Sequence, residues 1–303
     1  SVGGGTPVWA DVSPSGTSEY LIVDVDWTPD SQRVVYQIQD REQTWLDPNL
    51  ADPDSGRSRK LLRETTKAWV NNNGDAIWLR DGSFLWFSER SGFKHLYRIA
   101  ADGSVMNQIT TGRWDVRTLY GVNQNAGALY FSASEHSPIG TDIYRINIDG
   151  TGLTRLSQTE GTHRAIFNPD FTLFADVWSN VTTPAQVRLY RNNGSEVRAL
   201  DLNPVTALRD YRLSTPEFVQ VKTRDGFVME GMLIKPVDFN PNRRYPVYQF
   251  TYAGPGASQV KNQWGGREYM FHQMLAQHGV LVWGIDYRNA RGKGAESQWP
   301  DYG

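Results

Sequence analysis

The sequence contains no cysteine among its 303 residues. It can therefore form neither a disulfide bond nor a thiolate metal site, and cysteine usage gives no indication of the cellular compartment. Histidine is scarce as well. The five histidines form no HExxH motif and no other paired spacing typical of zinc; they are His95, His136, His163, His272 and His278. We therefore expect no metal, and the sequence indicates no cofactor.

The sequence also lacks a strong excess of charge and long apolar runs. Its formal net charge is −2 and its basic residues are scattered, so we expect no nucleic-acid partner. No apolar run approaches the roughly 20 residues that cross a bilayer, which predicts no membrane span. Residues 1–16 lack the charged start and apolar centre of a secretory signal peptide.

Aromatic residues, glycine and proline are abundant, with 11 Trp, 14 Tyr, 28 Gly and 15 Pro. That composition favours a turn-rich β protein. A pattern of turn, apolar strand, loop, second strand and short third strand occurs four times, in residues 28–62, 79–110, 123–157 and 168–200. The copies begin roughly 40 to 50 residues apart, which is the spacing of propeller blades. We therefore predict that residues 1–200 are blades of a larger β-propeller; unrelated hairpins in a β-sandwich are the alternative.

The second and third copies align best, with "HLYRIAADG" matching "DIYRINIDG". In each, a strand runs into an Asp-Gly turn, a strong hairpin signal. Nine aromatic residues of the copies fall at predicted strand positions, and we expect most of them to form the core between packed sheets. They are Trp86, Phe87, Tyr97, Tyr130, Phe131, Tyr144, Phe174, Trp178 and Tyr190.

The pattern changes after residue 200. Residues 201–216 contain two prolines and no strong period, which predicts a linker. Residues 217–303 contain the patterns of a hairpin, a strand, a helix and a further strand, which predict the beginning of an α/β sheet. The predicted helix, in "REYMFHQMLAQHG", carries an apolar stripe and ends at a glycine; the stripe is Met270, Phe271, Met274 and Leu275.

Four stretches in a fixed order carry a resemblance to a known family. "DGSFLWFSERSGFKHLYRI" precedes "TRDGFVMEGMLIKP", "YPVYQFTYAGPG" and "GVLVWGIDYRNARGKG". This order resembles the prolyl oligopeptidase superfamily of serine peptidases, in particular its dipeptidyl-peptidase IV branch, over nearly the whole chain. The resemblance implies a mainly β fold, in which β-propeller blades are followed by the beginning of an α/β-hydrolase domain that is truncated in residues 217–303. It also implies release of N-terminal dipeptides, often after proline, through an acyl-enzyme.

The resemblance assigns one site residue. In the family, the tyrosine of a Tyr-Ala/Gly-Gly-Pro element donates its hydroxyl to the oxyanion of the tetrahedral intermediate, and Tyr252 matches it. A phenol fixed by a strand and a rigid turn is a preorganised donor. Pro255 would fix the backbone, while Gly254 and Gly256 would permit close approach. A core tyrosine at a strand end is the alternative.

Other family elements are absent from the sequence. It contains no G-x-S-x-G elbow, because Ser258 in "GPGASQ" lacks the trailing glycine. His272 and His278 fall on the predicted helix, out of place for a catalytic triad, and there is no Glu-Glu pair to hold a substrate amine. Asn289 and Arg291 stand where glycines are usual in the family. We therefore expect a fragment that is inactive alone.

Two hypotheses of function remain. In the first, the chain is part of a serine dipeptidyl peptidase that acts on peptide substrates. Its relatives are commonly homodimers and often periplasmic or extracellular. In the second, it is a complete non-catalytic propeller that binds peptides or proteins. An aspartic peptidase dyad of Asp24 and Asp26 is disfavoured, because such a pair at a strand edge is more often a solvated feature.

Overall fold

The computed structural model describes residues 4–12, 19–252, 254 and 256–301. The chain divides into two compact units. The first unit contains the residues up to Thr111, the turn Ile148–Gly150 and the residues from Gln298 onward. The second contains Gly112–Asn147 and Thr151–Ser297.

Two antiparallel sheets make up most of the first unit. The first sheet contains β1 (Tyr20–Trp27), β2 (Val34–Asp40), β3 (Trp45–Ala51) and β4 (Ser58–Lys60) in this order, and β5 (Glu64–Thr65) also pairs with β3. The second sheet contains β6 (Ile77–Trp78), β7 (Phe84–Ser88), β8 (His95–Ile99) and β9 (Val105–Gln108). Because consecutive strands are neighbours, each sheet is a meander.

The second unit begins with two sheets of the same kind. The third sheet contains β10 (Val116–Asn123), β11 (Ala128–Ala133), β12 (Asp142–Asn147) and β13 (Thr154–Arg155). The fourth contains β14 (Thr162–Phe167), β15 (Leu173–Ser179), β16 (Gln186–Arg191) and β17 (Glu196–Asp201). A 3-10 helix, Thr206–Asp210, follows the fourth sheet.

The fifth sheet has a different topology. Its strands are β18 (Glu217–Lys222), β19 (Val228–Ile234), β20 (Val247–Phe250) and β21 (Leu281–Ile285), in the spatial order β18-β19-β21-β20. β20 and β21 are parallel and are joined through helix α1 (Gly266–Gln277), as parallel neighbours require a crossover connection. A 3-10 helix, Ala295–Asp301, follows β21. No helix in the described residues is both long and apolar enough to cross a membrane.

This architecture confirms the predicted fold class, which is mainly β with successive meander sheets before an α/β sheet. The four copies found in the sequence fall on the first four sheets, but each copy omits the first strand of its sheet. β1, β6 and β14 precede their copies, β10 ends at the first residue of its copy, and β5 follows the end of the first copy. The reason is that each copy begins at the turn that follows the first strand of its sheet; β1 itself, YLIVDVDW, is largely apolar.

Aromatic side chains form the core where the third and fourth sheets pack. The ring of Phe167 lies 4.8 Å from that of Tyr130 and 4.9 Å from that of Phe174, centroid to centroid. Tyr190 stacks on Phe174 at 5.4 Å. Tilted and offset aromatic pairs at such distances add to the stabilisation from apolar burial. The prediction that strand aromatics form the core between sheets is confirmed here, although Tyr190 is only partly buried.

Helix α1 buries a different face from its apolar stripe. Phe271 and Met274 are 43% and 46% exposed, whereas His272 and Gln273 are buried. Gln273 is buried because its amide bonds both backbone groups of Ser214: it accepts from the N–H at 2.8 Å and donates to the C=O at 2.7 Å. Hydrophobicity alone therefore does not predict which face of α1 is buried.

Candidate functional site

Tyr252 lies two residues beyond the end of β20 and is 58% exposed. The preceding Thr251 donates its hydroxyl to the C=O of Ile285 at 3.1 Å, which ties the start of the turn to the end of β21. The tyrosine ring folds over Gly254: a Cβ at that glycine would lie 2.5 Å from Tyr252 Cε1 and 3.0 Å from its hydroxyl oxygen. Pro255, which the sequence analysis assigned to the rigidity of this turn, lies outside the described residues.

The loop after β21 holds the segment that follows Tyr252. The N–H of Gly256 donates to the C=O of Asn289 at 3.0 Å. The buried carboxylate of Asp286 accepts from the N–H groups of Gln259, at 2.6 Å, and Val260, at 3.1 Å. Burial raises the pKa of Asp286, and the two N–H donors oppose that rise. Since a buried carboxylate needs partners, Asp286 fixes the backbone on the C-terminal side of the tyrosine.

Asn262 fastens the same segment to the third and fourth sheets. Its N–H donates to the C=O of Ile139 at 2.7 Å, and its C=O accepts from the Thr162 hydroxyl at 3.0 Å. Its side-chain oxygen accepts from the N–H of Val181 at 3.1 Å. The N–H of Trp264 also donates to a hydroxyl of β15, at 3.3 Å. The segment between Tyr252 and α1 is therefore held on two sides.

Two cavities flank this held segment, and Ser258 lines both. One cavity, of about 230 Å³, lies on the helix side and has a mixed lining, in which Met232, Phe250, Trp264 and Tyr269 are accompanied by polar and charged side chains. The other, of about 280 Å³, lies against β10 and β14. We call the second one the basic cavity, because Arg117, Arg164, Lys261 and Arg291 line it.

The histidines of the helix are structural in this arrangement. His272 is buried with its ring stacked on Phe250 at 4.4 Å, and burial lowers its pKa, with Glu268 opposing. His278 ends the helix, with Nδ1 2.8 Å from the C=O of Met274. Ser258 has neither imidazole as a hydrogen-bond partner. In the described residues, neither histidine therefore forms a nucleophile–base pair with it.

One buried histidine–aspartate pair was not anticipated from the sequence. Nδ1 of His163 lies 2.6 Å from Asp176, and Nε2 lies 2.8 Å from the C=O of Thr159. Burial opposes the charged imidazole, but the bond to Asp176 and its charge outweigh this and raise the pKa of His163. Because both nitrogens have acceptors, neither is free to take a proton from a nucleophile. The pair joins β14 to β15.

Carboxylates elsewhere do not form the disfavoured dyad of Asp24 and Asp26. Asp24 instead pairs with Asp75, whose pKa is raised to about 6. The hydrogen bond to Asp24 is the largest cause of this rise, and burial is the second. Asp24 also accepts from the amide of Gln37 at 3.2 Å. Among the residues described, no group of three or more His, Asp or Glu side chains is placed to hold a metal ion.

A family model described as the dipeptidyl peptidase IV (DPP IV) N-terminal region matches residues 3–185 of the sequence. The chain belongs to the dipeptidyl peptidase IV family. This confirms the branch to which the sequence motifs were matched.

Individual relatives agree with this assignment. The chain is 27% identical to human dipeptidyl peptidase 8 over 335 residues, covering 88% of this chain and 37% of that protein. It is 23% identical to dipeptidyl peptidase 4 of Trichophyton equinum over 275 residues, covering 86% of this chain and 35% of that protein. The crystal structure of Porphyromonas gingivalis dipeptidyl peptidase 4 superposes with a TM-score of 0.85 at 28% identity, over 93% of this chain and 40% of that one. The chain thus spans less than half the length of these relatives.

Proposed function

We propose that the chain is part of a serine exopeptidase that releases N-terminal dipeptides, often Xaa-Pro, through an acyl-enzyme. The observation that carries the proposal is the position of Tyr252 in a dipeptidyl peptidase IV family chain: it lies two residues after the parallel strand β20 and precedes a segment that Asp286 and Asn262 hold. The activity belongs to the full-length protein that contains this chain. A homodimer of that protein stays a prediction.

Tyr252 is proposed to donate its hydroxyl to the oxyanion of the tetrahedral intermediate. Such a donor accelerates the reaction when it is already in place before charge develops, because no reorganisation is then needed. The bonds of the following segment to the fifth sheet and to the third and fourth sheets would supply that fixed position. Its exposure of 58% leaves the hydroxyl accessible to a substrate. The nucleophile and its base are not assigned to residues of this chain.

Hydrolysis of Gly-Pro-p-nitroanilide tests the proposal. The full-length protein is expected to cleave it and the isolated chain is not. In the full-length protein, Tyr252→Phe is expected to lower kcat by roughly 100- to 1000-fold, the usual cost of one oxyanion donor. Tyr248→Phe is the matched control, because this exposed tyrosine lies on β20, the strand that precedes Tyr252, and packs edge-on against Phe271.

The outcomes separate the two hypotheses of function. If the full-length protein cleaves no Xaa-Pro amide, the peptidase proposal fails and a peptide-binding propeller becomes the better explanation. If it cleaves but Tyr252→Phe retains full kcat, the role of Tyr252 is wrong while the peptidase assignment stands. Cleavage by the isolated chain would show that a nucleophile among its own residues has been overlooked.

A further inference from the structure

The basic cavity concentrates positive charge, and its described lining contains no carboxylate. Four cationic side chains line it. Arg164, Lys261 and Arg291 form no ion pair within 4.0 Å with a described carboxylate. The carboxylate nearest to Arg117 is that of Asp115, at 3.9 Å, beyond hydrogen-bond distance.

Arg117 is the most enclosed of the four, since its side chain is only 13% exposed. Its guanidinium lies against the backbone of the loop after β21: a Cβ at Gly292 would be 3.0 Å from one of its nitrogens. Burial lowers the pKa of Arg117 to about 10; Asp115 opposes the decrease and Arg291 adds to it. The guanidinium therefore stays charged at neutral pH, in a place where water solvates it poorly.

Two nearby carboxylates accept hydrogen bonds from groups other than the cavity cations, although Asp286 also interacts electrostatically with Lys261. Asp176 is bonded to His163 at 2.6 Å, and Asp286 accepts the two N–H groups of the segment after Tyr252. Neutral donors complete the lining, including the hydroxyl groups of Thr118 and Ser132. A concave site with guanidinium groups and hydroxyls, but without a competing carboxylate, is suited to an oxyanion, because guanidinium matches carboxylate and phosphate groups in charge and geometry.

The size of the cavity limits the ligand. A volume of about 280 Å³ lies just below the range of about 300 to 1,000 Å³ that is typical of sites for drug-sized ligands. It can accept one charged group with a few attached atoms. Ser258 and Lys261, on the segment that follows Tyr252, form one wall of the cavity. A peptide bound near Tyr252 would therefore have this charge close to it.

We propose that the basic cavity is a binding site for a small oxyanion, a carboxylate or phosphate group. The group can belong to a peptide, as an acidic side chain or a C-terminal carboxylate, or to a free anion. The peptide source rests on the proposed function, and the free-anion source does not. Arg291, which stands where the family usually has glycine, contributes one of the charges, so the site is specific to chains with this substitution.

Calorimetric titration of the full-length protein with inorganic phosphate and with succinate tests the free-anion source. Wild-type protein is expected to bind at least one of them, and the double variant Arg164→Gln/Arg291→Gln is expected to bind about tenfold more weakly, since two charge-assisted contacts are removed. These two arginines are exposed, so the variant is expected to fold. Arg198→Gln, at an exposed position of β17 away from the cavity, is the matched control.

Peptide pairs test the other source. The KM of pentapeptides beginning Gly-Pro is measured with Glu or Gln at the third, fourth or fifth position, and with a free or amidated C-terminus. The acidic member of at least one pair is expected to have a KM about tenfold lower, and the double variant is expected to remove the difference. The Arg198→Gln control is expected to retain it.

Either effect, if it depends on Arg164 and Arg291, supports the site and identifies the source of the oxyanion. The inference is overturned if neither anion binds and no peptide pair differs, or if every effect persists in the double variant. Calorimetry does not require catalysis. If the protein cleaves no peptide but binds phosphate through these arginines, the proposed function fails while the oxyanion site stands.

Discussion

Replacing Gly254 by alanine tests the placement of Tyr252 without touching the tyrosine. An added Cβ would lie 2.5 Å from Cε1 of the tyrosine ring and 3.0 Å from its hydroxyl oxygen. Carbon atoms in contact are ordinarily about 3.5 to 4.0 Å apart, so the ring must move by about 1 Å. The backbone of Gly254 is not in the left-handed region, so alanine introduces no strain of its own there.

The expected effects on stability and on catalysis differ sharply. Tyr252 is 58% exposed and its ring can turn away into solvent, so the free energy of unfolding is expected to fall by less than about 1 kcal/mol. A displacement of about 1 Å in a catalytic group lowers the rate by roughly 100-fold. Gly254→Ala is therefore expected to lower kcat for Gly-Pro-p-nitroanilide nearly as much as Tyr252→Phe, with little change in Tm.

Gly266→Ala provides the opposite pattern as a control. This glycine has a φ of 55°, and no atom lies within 4 Å of an added Cβ. Alanine in the left-handed region costs about 1 to 2 kcal/mol, so Tm is expected to fall while kcat is unchanged. If Gly254→Ala leaves kcat unchanged while Tyr252→Phe lowers it, the described position of the ring is not the one used in catalysis. If neither changes kcat, Tyr252 is not the oxyanion donor.

Two further predictions concern the parts that support the site. The pKa of His163 is raised in the folded state, so the stability it provides is complete below its unfolded pKa of about 6.5 and is lost as the pH rises through the folded-state pKa. In urea titrations from pH 6 to 9, His163→Gln is expected to be less stable than wild type at the acidic end and to show a flatter pH dependence; an unchanged slope would contradict the role of the bond to Asp176. Asn262→Ala leaves the N–H of Val181 without its acceptor and is expected to cost about 1 to 3 kcal/mol. Asn262→Asp, which keeps an acceptor oxygen, is expected to cost less, and equal losses would show that this hydrogen bond is not the stabilising contact.

Those features of the fold that depend on local pattern could be predicted from the sequence. Paired strands ending in Asp-Gly turns repeat with a regular spacing, and the resulting sheets lie where the copies lie. Tyr130 and Phe174 were expected in the core because large aromatics on strands bury well, and both are buried. The first strand of each sheet falls outside its copy because each copy begins at the turn that follows that strand.

Contacts between distant segments could not be predicted in this way. Gln273 is buried because the backbone of Ser214, 59 residues earlier, needs its amide. Asn262 bonds Val181 from 81 residues away. A polar residue in a single sequence carries no mark of a distant partner, so these positions resemble any solvent-exposed residue. The same holds for Asp286, whose role as an acceptor for two N–H groups becomes visible only with the loop it faces.

Two of the cationic residues that line the basic cavity lie on the same segments as the residues that support Tyr252. Asp286 and Arg291 belong to the loop after β21, while Lys261 and Asn262 belong to the segment before α1. The bonds that fix the proposed oxyanion donor therefore also fix two of the cavity's charges. An oxyanion bound by both Lys261 and Arg291 would draw the segment before α1 and the loop after β21 together, because both cations would be attracted to the same negative charge. Occupation of the cavity is thus expected to stabilise the position of Tyr252. Binding of an oxyanion there should therefore change kcat as well as KM.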